Sequence, residues 1–526
     1  MSVEQSKEKD HKPLSKYGRP TDDLPTLRPS GATKNAANSE PQKLVNLTYA
    51  YAEKTHPRET GSADFERSKS ITSDLPDTLK QPTEKTVKKA KRDEKDRRLL
   101  SSDRWLVRNG HFVTYVALYL FSIMVLFRPY EIVPGLGFLA FTAFYFAIVT
   151  IALYIPSQLV TEGNLTMLST EVKAMLALTA LALGTIPIAK DPGLAWETFN
   201  DPYIKAVVIF IVLVNVVRTR KRLMAMLWLS FGIGIYLGVS AMQLYMDGKF
   251  AVEEYRIAVT DIKGMFGNPN EMALHFVMMT PIVLVLGIAA KNNVMRVVYF
   301  SMTALFVAAN MVTYSRGGFL GLLATAAVLA WKLGRKQRLN VTIASIVVGG
   351  VTIIAAPGNY GLRMLSIFIP GLDGVGSSDM RRELLERSLL VTARNPWGIG
   401  IGNFPIVGVH DHQTHNAFTQ VSAELGILGL IAYLVFMISP FRKLSAIERA
   451  QIGKDKQDWF YYLAIGLQAS IIGYMVTSFF ASVAYNWFIY YLIAYAVAFR
   501  RIYRLENDAQ EDAIIQPRFD RLAEAS

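Results

Sequence analysis

The sequence predicts an all-α polytopic membrane protein with about twelve transmembrane helices. Three observations carry this. The 526 residues are 51% hydrophobic and only 19% charged, below the quarter or so usual in soluble domains. From position 111 onward the apolar residues fall in runs, many of them near the ~20 residues needed to cross ~30 Å of hydrocarbon. Basic residues are concentrated in alternate connections between those runs, as the positive-inside rule produces.

Taken in order, residues 1–100 are rich in Lys, Glu, Asp, Pro, Ser and Thr without hydrophobic periodicity, which predicts a disordered, basic cytoplasmic tail with no signal-peptide core. Its stretch 84–98 reads either as a charged helix that binds anionic lipid or a cytoplasmic partner, or as a solvated topogenic tail. Spans follow near 111–128, 137–156, 172–189, 203–217, 223–245, 271–290, 296–313, 317–333, 341–356, 417–439, 459–480 and 485–499. They predict a membrane domain over 105–505 and a cytoplasmic C-terminal tail at 506–526. The clusters at 88–98, 218–222, 332–338, 442–456 and 500–504 all fall on the cytoplasmic side under the charge rule. An even number of spans then leaves both termini inside.

The net charge of +13 is explained by this topology, and no nucleic-acid partner is predicted. The absence of cysteine excludes structural disulfides, thiolate catalysis and Cys-bound zinc.

Segments 190–202, 247–270, 313–318 and 357–413 are predicted on the outer, non-cytoplasmic side. The last is too long to be a passive connection. It carries Arg363, Arg381, Arg382, Arg387 and Arg394, and it spaces Leu384, Leu385, Leu389 and Leu390 as on one helix. That pattern predicts an amphipathic helix at the membrane surface. Arginines on this side either bind an anionic ligand through paired hydrogen bonds or pair locally with Asp379, Glu383 and Glu386.

Arg316 lies in Tyr314-Ser315-Arg316-Gly317-Gly318, at an expected helix start. An arginine beside free helix N–H groups suits phosphate; the bland alternative is a snorkelling interfacial arginine. In Asn268-Pro269-Asn270-Glu271, either asparagine could cap the next span, with a possible second role in lining a site. Thr414 to Gly426 joins the long loop to an apolar run, and ionisable groups at such an edge are functional candidates. If a helix begins near His415, a turn of ~100° per residue places Thr419, Ser422, Gly426 and Gly429 on its stripe. Glu424 then falls on the far face beside Gln420, bracing the loop or a neighbouring helix. His410, His412 and His415 with Asp411 offer a weak metal pattern, and no metal is predicted. The run Gly398-Ile399-Gly400-Ile401-Gly402 lacks dinucleotide spacing and reads as tight turns.

Asn268-Pro269-Asn270, Ser315-Arg316-Gly317-Gly318, the arginine-rich loop helix, Asn395-Pro396-Trp397-Gly398-Ile399-Gly400-Ile401-Gly402-Asn403-Phe404, and His415-Asn416 with Glu424 and Gly426 together resemble the O-antigen ligase family. That superfamily includes O-antigen polymerases and protein O-oligosaccharyltransferases. The resemblance spans residues 110–500; Thr419 stands where the family more often has leucine. It implies a GT-C-like, inverting, metal- and cofactor-independent glycosyltransferase in the bacterial inner membrane, with its active site facing the periplasm. The implied donor is a glycan on undecaprenyl pyrophosphate, drawn from the membrane lipid. The acceptor would be lipid A-core, a growing glycan or a protein. Arg316 with Arg381 or Arg382 would hold the pyrophosphate, His415 would act as base, and Asn416, Glu424 and Asn270 would support them. A transporter or lipid flippase is the competing class, but no internal repeat is evident, and the polar residues collect at the outer ends of spans.

Overall fold

A computed structural model of the chain describes residues 105–133, 135–250, 256–259, 267–334, 339, 343, 360–365, 377–409, 411–452 and 458–524. The predicted tail 1–100 and the predicted span 341–356, apart from position 343, lie outside them. The principal helices are α1 (Trp105–Leu126), α2 (Thr142–Glu162), α3 (Thr170–Thr185), α4 (Ile204–Val216), α5 (Arg220–Met246), α6 (Pro269–Ala289), α7 (Asn293–Val312), α8 (Arg316–Leu333), α9 (Ser377–Arg394), α10 (Ala417–Gln451), α11 (Trp459–Ser478) and α12 (Trp487–Glu524). The protein is all-helical and polytopic. Nine helices among the described residues are long and apolar enough to cross a membrane. α3, at 16 residues, and the apolar start of α12 occupy two more of the expected positions.

Most helix starts are written in the sequence. Ser169, Thr219, Asn268, Asn292, Ser315, Asn416 and Asp458 each cap a helix by accepting a backbone N–H with the side chain. Of the two asparagines expected to cap α6, Asn268 does so, taking the N–H of Asn270 at 2.9 Å.

α11 is the central helix, packed against α6, α8 and α10. Small residues make this possible, since little hydrophobic drive remains between helices in lipid and close approach matters instead. A Cβ on Gly466 would sit 3.2 Å from the Pro281 carbonyl of α6, and one on Gly321 of α8 would sit 3.2 Å from the Gly473 carbonyl of α11. α2 is peripheral by contrast. It packs mainly on α1 and exposes Phe144, Tyr145, Ile148 and Val149, as a lipid-facing helix does.

The described residues of the basic clusters at 218–222, 332–338, 442–456 and 500–504 converge at one end of the bundle, tied by acidic residues. Glu171 is fully buried and takes two bonds from Arg500, at 2.8 and 3.0 Å, and two from Lys443, at 3.0 and 3.2 Å. Glu162 joins Arg218 to Arg501, Glu448 holds Lys332 at 2.6 Å, and Glu506 holds Arg220. At Glu171 and Glu448, which are buried, a charge left without its partner costs ~3–5 kcal/mol, so those two pairings lock the helix ends in register. Arg316 and Lys332 lie near opposite ends of α8, and His415 and Arg449 near opposite ends of α10. The segments of interest therefore sit at the end of the bundle away from the basic belt.

A candidate functional site where two helix starts meet

α8 and α10 start with the same local construction. A residue in the left-handed region, Tyr314 (φ 51°) or His415 (φ 50°), turns the chain. A capping residue follows, and the helix begins. Ser315 accepts the Gly318 N–H at 3.2 Å; Asn416 accepts those of Phe418 and Thr419 at 2.9 and 3.2 Å. The two motifs place their key side chains differently. Arg316 is the first residue of α8, whereas His415 precedes the cap of α10. His415 is thus off the helix, and the stripe expected to run from it through Thr419 and Ser422 starts at the cap instead.

The two segments meet at a cavity of about 230 Å³ lined by Arg316, Arg381, Arg382, Leu385, Thr414, His415, Asn416, Phe479 and Phe480. Four of the six predicted site residues other than His415 therefore share one pocket with it. Arg316 is buried at the pocket wall. Of the two loop arginines, Arg381 is half-buried and acts on His415, while Arg382 points outward, 81% exposed, and pairs with Glu386 at 3.0 Å. Burial, the Arg381 charge and then His412 lower the His415 pKa to about 4. The imidazole is neutral at neutral pH, as a proton acceptor must be.

Asn270 and Glu424 stand behind the pocket. The Asn270 Oδ1 accepts from the Ser315 hydroxyl and from Arg256, both at 2.9 Å. Arg256 also donates to the Thr313 carbonyl at 3.1 Å. This buried arginine, invisible in the sequence for want of any helical or motif context, ties the turn before Arg316 to α6.

Glu424 is fully buried, and its Oε1 accepts the Phe404 N–H at 3.3 Å. Two residues on, Gly426 breaks α10 with φ 76° and ψ −175°, a region open to glycine alone. The break frees backbone groups that the loop then pairs. Ile399 donates to Ala423 O at 3.1 Å, Gly400 to Glu424 O at 3.0 Å, and Ile427 to Pro396 O at 3.0 Å. Gly398, Gly400 and Gly402 all have positive φ and make the turns expected of them. The loop that follows Arg381 and α9 is thus stitched into the helix that follows His415.

His410 lies outside the described residues. The His412 and His415 ring centroids are 6.4 Å apart, and among the described residues no three His, Cys, Asp or Glu group as metal ligands would. A larger cavity, about 640 Å³, lies between α1, α2 and α4. Its charged residues are committed locally: Arg128 pairs with Glu131 at 3.1 Å and Lys205 with Asp201 at 2.6 Å.

The sequence reading also missed the α11–α12 connection, 479–486. Phe479 and Phe480 line the pocket, and the Ala484 N–H reaches Gln420 Oε1 at 3.4 Å. Tyr485 faces Glu424; burial foremost, and that carboxylate next, push its hydroxyl pKa well up.

Fold and pocket define a polytopic membrane protein with a cationic cleft and a neutral imidazole at one end of its bundle. Residues 301–434 match the family model described as O-antigen ligase, so that segment of the chain is similar to that family. The matched segment holds Arg316, Arg381, Arg382, His415, Asn416 and Glu424; Asn270 precedes it. No curated protein matches the chain significantly. The family supports ligase- or polymerase-type glycan transfer in general.

Proposed function

We propose that the chain transfers a glycan from undecaprenyl pyrophosphate to an acceptor hydroxyl, in the bacterial inner membrane and with the pocket on the periplasmic face. The observation that carries this reading is the meeting of Arg316, Arg381 and His415 in one cavity. The acceptor oxygen attacks the anomeric carbon of the donor while the bond from that carbon to the pyrophosphate oxygen breaks. The pyrophosphate leaves with the bonding pair, and the acceptor's proton passes to His415. Attack opposite the leaving group inverts the anomeric centre.

Each group has work that its position supports. Arg316 and Arg381 face the developing negative charge of the leaving group, where preorganised donors contribute most. His415 takes a proton as general base, a contribution of ~10²–10⁴-fold. The Arg381 charge that keeps the imidazole neutral also attracts the pyrophosphate, and bound pyrophosphate strengthens His415 as a base. The basic belt at the opposite end of the bundle, read through the positive-inside rule, supports the outer placement. Lipid A-core, a growing glycan and a protein hydroxyl are all acceptors this chemistry serves.

The test is transfer by purified protein from a lipid-linked donor to each acceptor class. Arg316→Ala and His415→Ala are each expected to lower transfer by at least about 10²-fold while insertion and thermal stability are kept. Full activity in both variants would overturn the mechanism. Substrate flux across the membrane without transfer would favour a transporter.

A further inference from the structure

We propose that Ser482, in the connection between α11 and α12, is a positioning residue that holds His415 in its working geometry. The inference rests on the reading of His415 as the base and deepens it. Ser482 lies beyond the segment that matches the family.

His415 is a non-glycine residue with φ 50°, a conformation that costs on the order of 1–3 kcal/mol unless its surroundings impose it. The imposing contact is its own backbone N–H, which donates to Ser482 Oγ at 2.8 Å. Ser482 Oγ also lies 3.1 Å from Thr414 Oγ1, and the Thr414 hydroxyl donates to the Asn416 carbonyl at 2.9 Å. Since the Thr414 proton is committed to Asn416, the Ser482 hydroxyl donates to Thr414 and keeps a lone pair for His415. One hydroxyl from a distant element thus holds Thr414 and the His415 N–H directly, and Asn416 through Thr414.

That element is itself fixed. The Val483 carbonyl accepts from the Tyr474 hydroxyl at 3.3 Å, and the Ala484 carbonyl accepts from Tyr490 at 2.8 Å. Without the Ser482 hydroxyl, His415 can relax to an ordinary φ, which swings the imidazole away from Arg381. A displacement near 1 Å at a reacting group costs about 10²-fold in rate.

The experiment compares full-length purified Ser482→Ala, Ser482→Thr, His415→Ala and the double variant, using a lipid-linked glycan donor in single-turnover assays. Ser482→Ala is expected to lower the rate of transfer roughly 10²-fold with the donor KM little changed. Its acid limb should move up from near pH 4 toward the ordinary histidine value of 6.5. Ser482→Thr, which keeps the hydroxyl, restores the rate. Removing Ser482 in the His415→Ala background costs nothing further. Normal kinetics for Ser482→Ala beside a strongly slowed His415→Ala overturns this proposal alone, and so does an equal loss in both backgrounds. A fully active His415→Ala overturns the function proposed above and this inference with it.

Discussion

Arg381 and His415 line one cavity, the first from a loop helix and the second from the turn before α10. Burial, with the Arg381 charge next, brings the His415 pKa down to about 4. The pocket is therefore set for an anion twice over, by its fixed guanidinium groups and by an imidazole that carries no charge until an anion arrives.

This relationship fixes the pH dependence. The unfolded chain takes up the His415 proton near 6.5 and the folded chain near 4, so its contribution to stability is full above 6.5 and is lost as pH falls toward 4. In catalysis the neutral form is the active one. The acid limb of kcat/KM, which reports the free enzyme, is expected near pH 4. The limb of kcat should lie higher, because bound pyrophosphate favours the protonated imidazole. Arg381→Ala should raise the free-enzyme limb; an unmoved limb would show that the guanidinium does not act on His415.

The two loop arginines should separate in rate. Arg381 is half-buried in the pocket, whereas Arg382 is turned to Glu386. Loss of a preorganised charge at a leaving group costs on the order of 10²–10³-fold in kcat, so Arg316→Ala and Arg381→Ala should each fall by that much. Arg382→Ala should stay within a few-fold, as expected of an exposed ion pair. Steady-state kinetics with lipid-linked donor measures the ranking.

Gly426 tests the stitch between loop and helix. A Cβ there would press on the Pro396 carbonyl and on Trp397, in a backbone region that only glycine adopts freely. Gly426→Ala is expected to destabilise the protein by at least about 2 kcal/mol, read as a lowered unfolding temperature in detergent. Glu424→Gln keeps an acceptor for the Phe404 N–H and should be milder than Glu424→Ala.

The proposed sidedness has a direct readout, because the native chain contains no cysteine. Single cysteines at Trp397 and Ala450, both exposed, should react with an impermeant reagent from the periplasm and only after lysis, respectively. The reverse pattern would place the pocket on the cytoplasmic side.

By itself the sequence determined the helical membrane class and most of the apolar helices, and it named the candidate site residues. Hydropathy and charge report the solvent around each segment, and a hydrocarbon layer makes that report nearly local. Arg316 and His415 were legible for the same reason, as ionisable groups at the edges of apolar runs. Tertiary structure alone decided the rest. Whether His415 belongs to α10 depended on a left-handed turn held by Ser482, a residue from another connection. The difference between Arg381 and Arg382 depended on which side of α9 faces the bundle. Arg256 and the 479–486 connection have no periodicity or motif to mark them. They matter through hydrogen bonds to chain segments far away in sequence, and such pairings arise only when the helices close around one another.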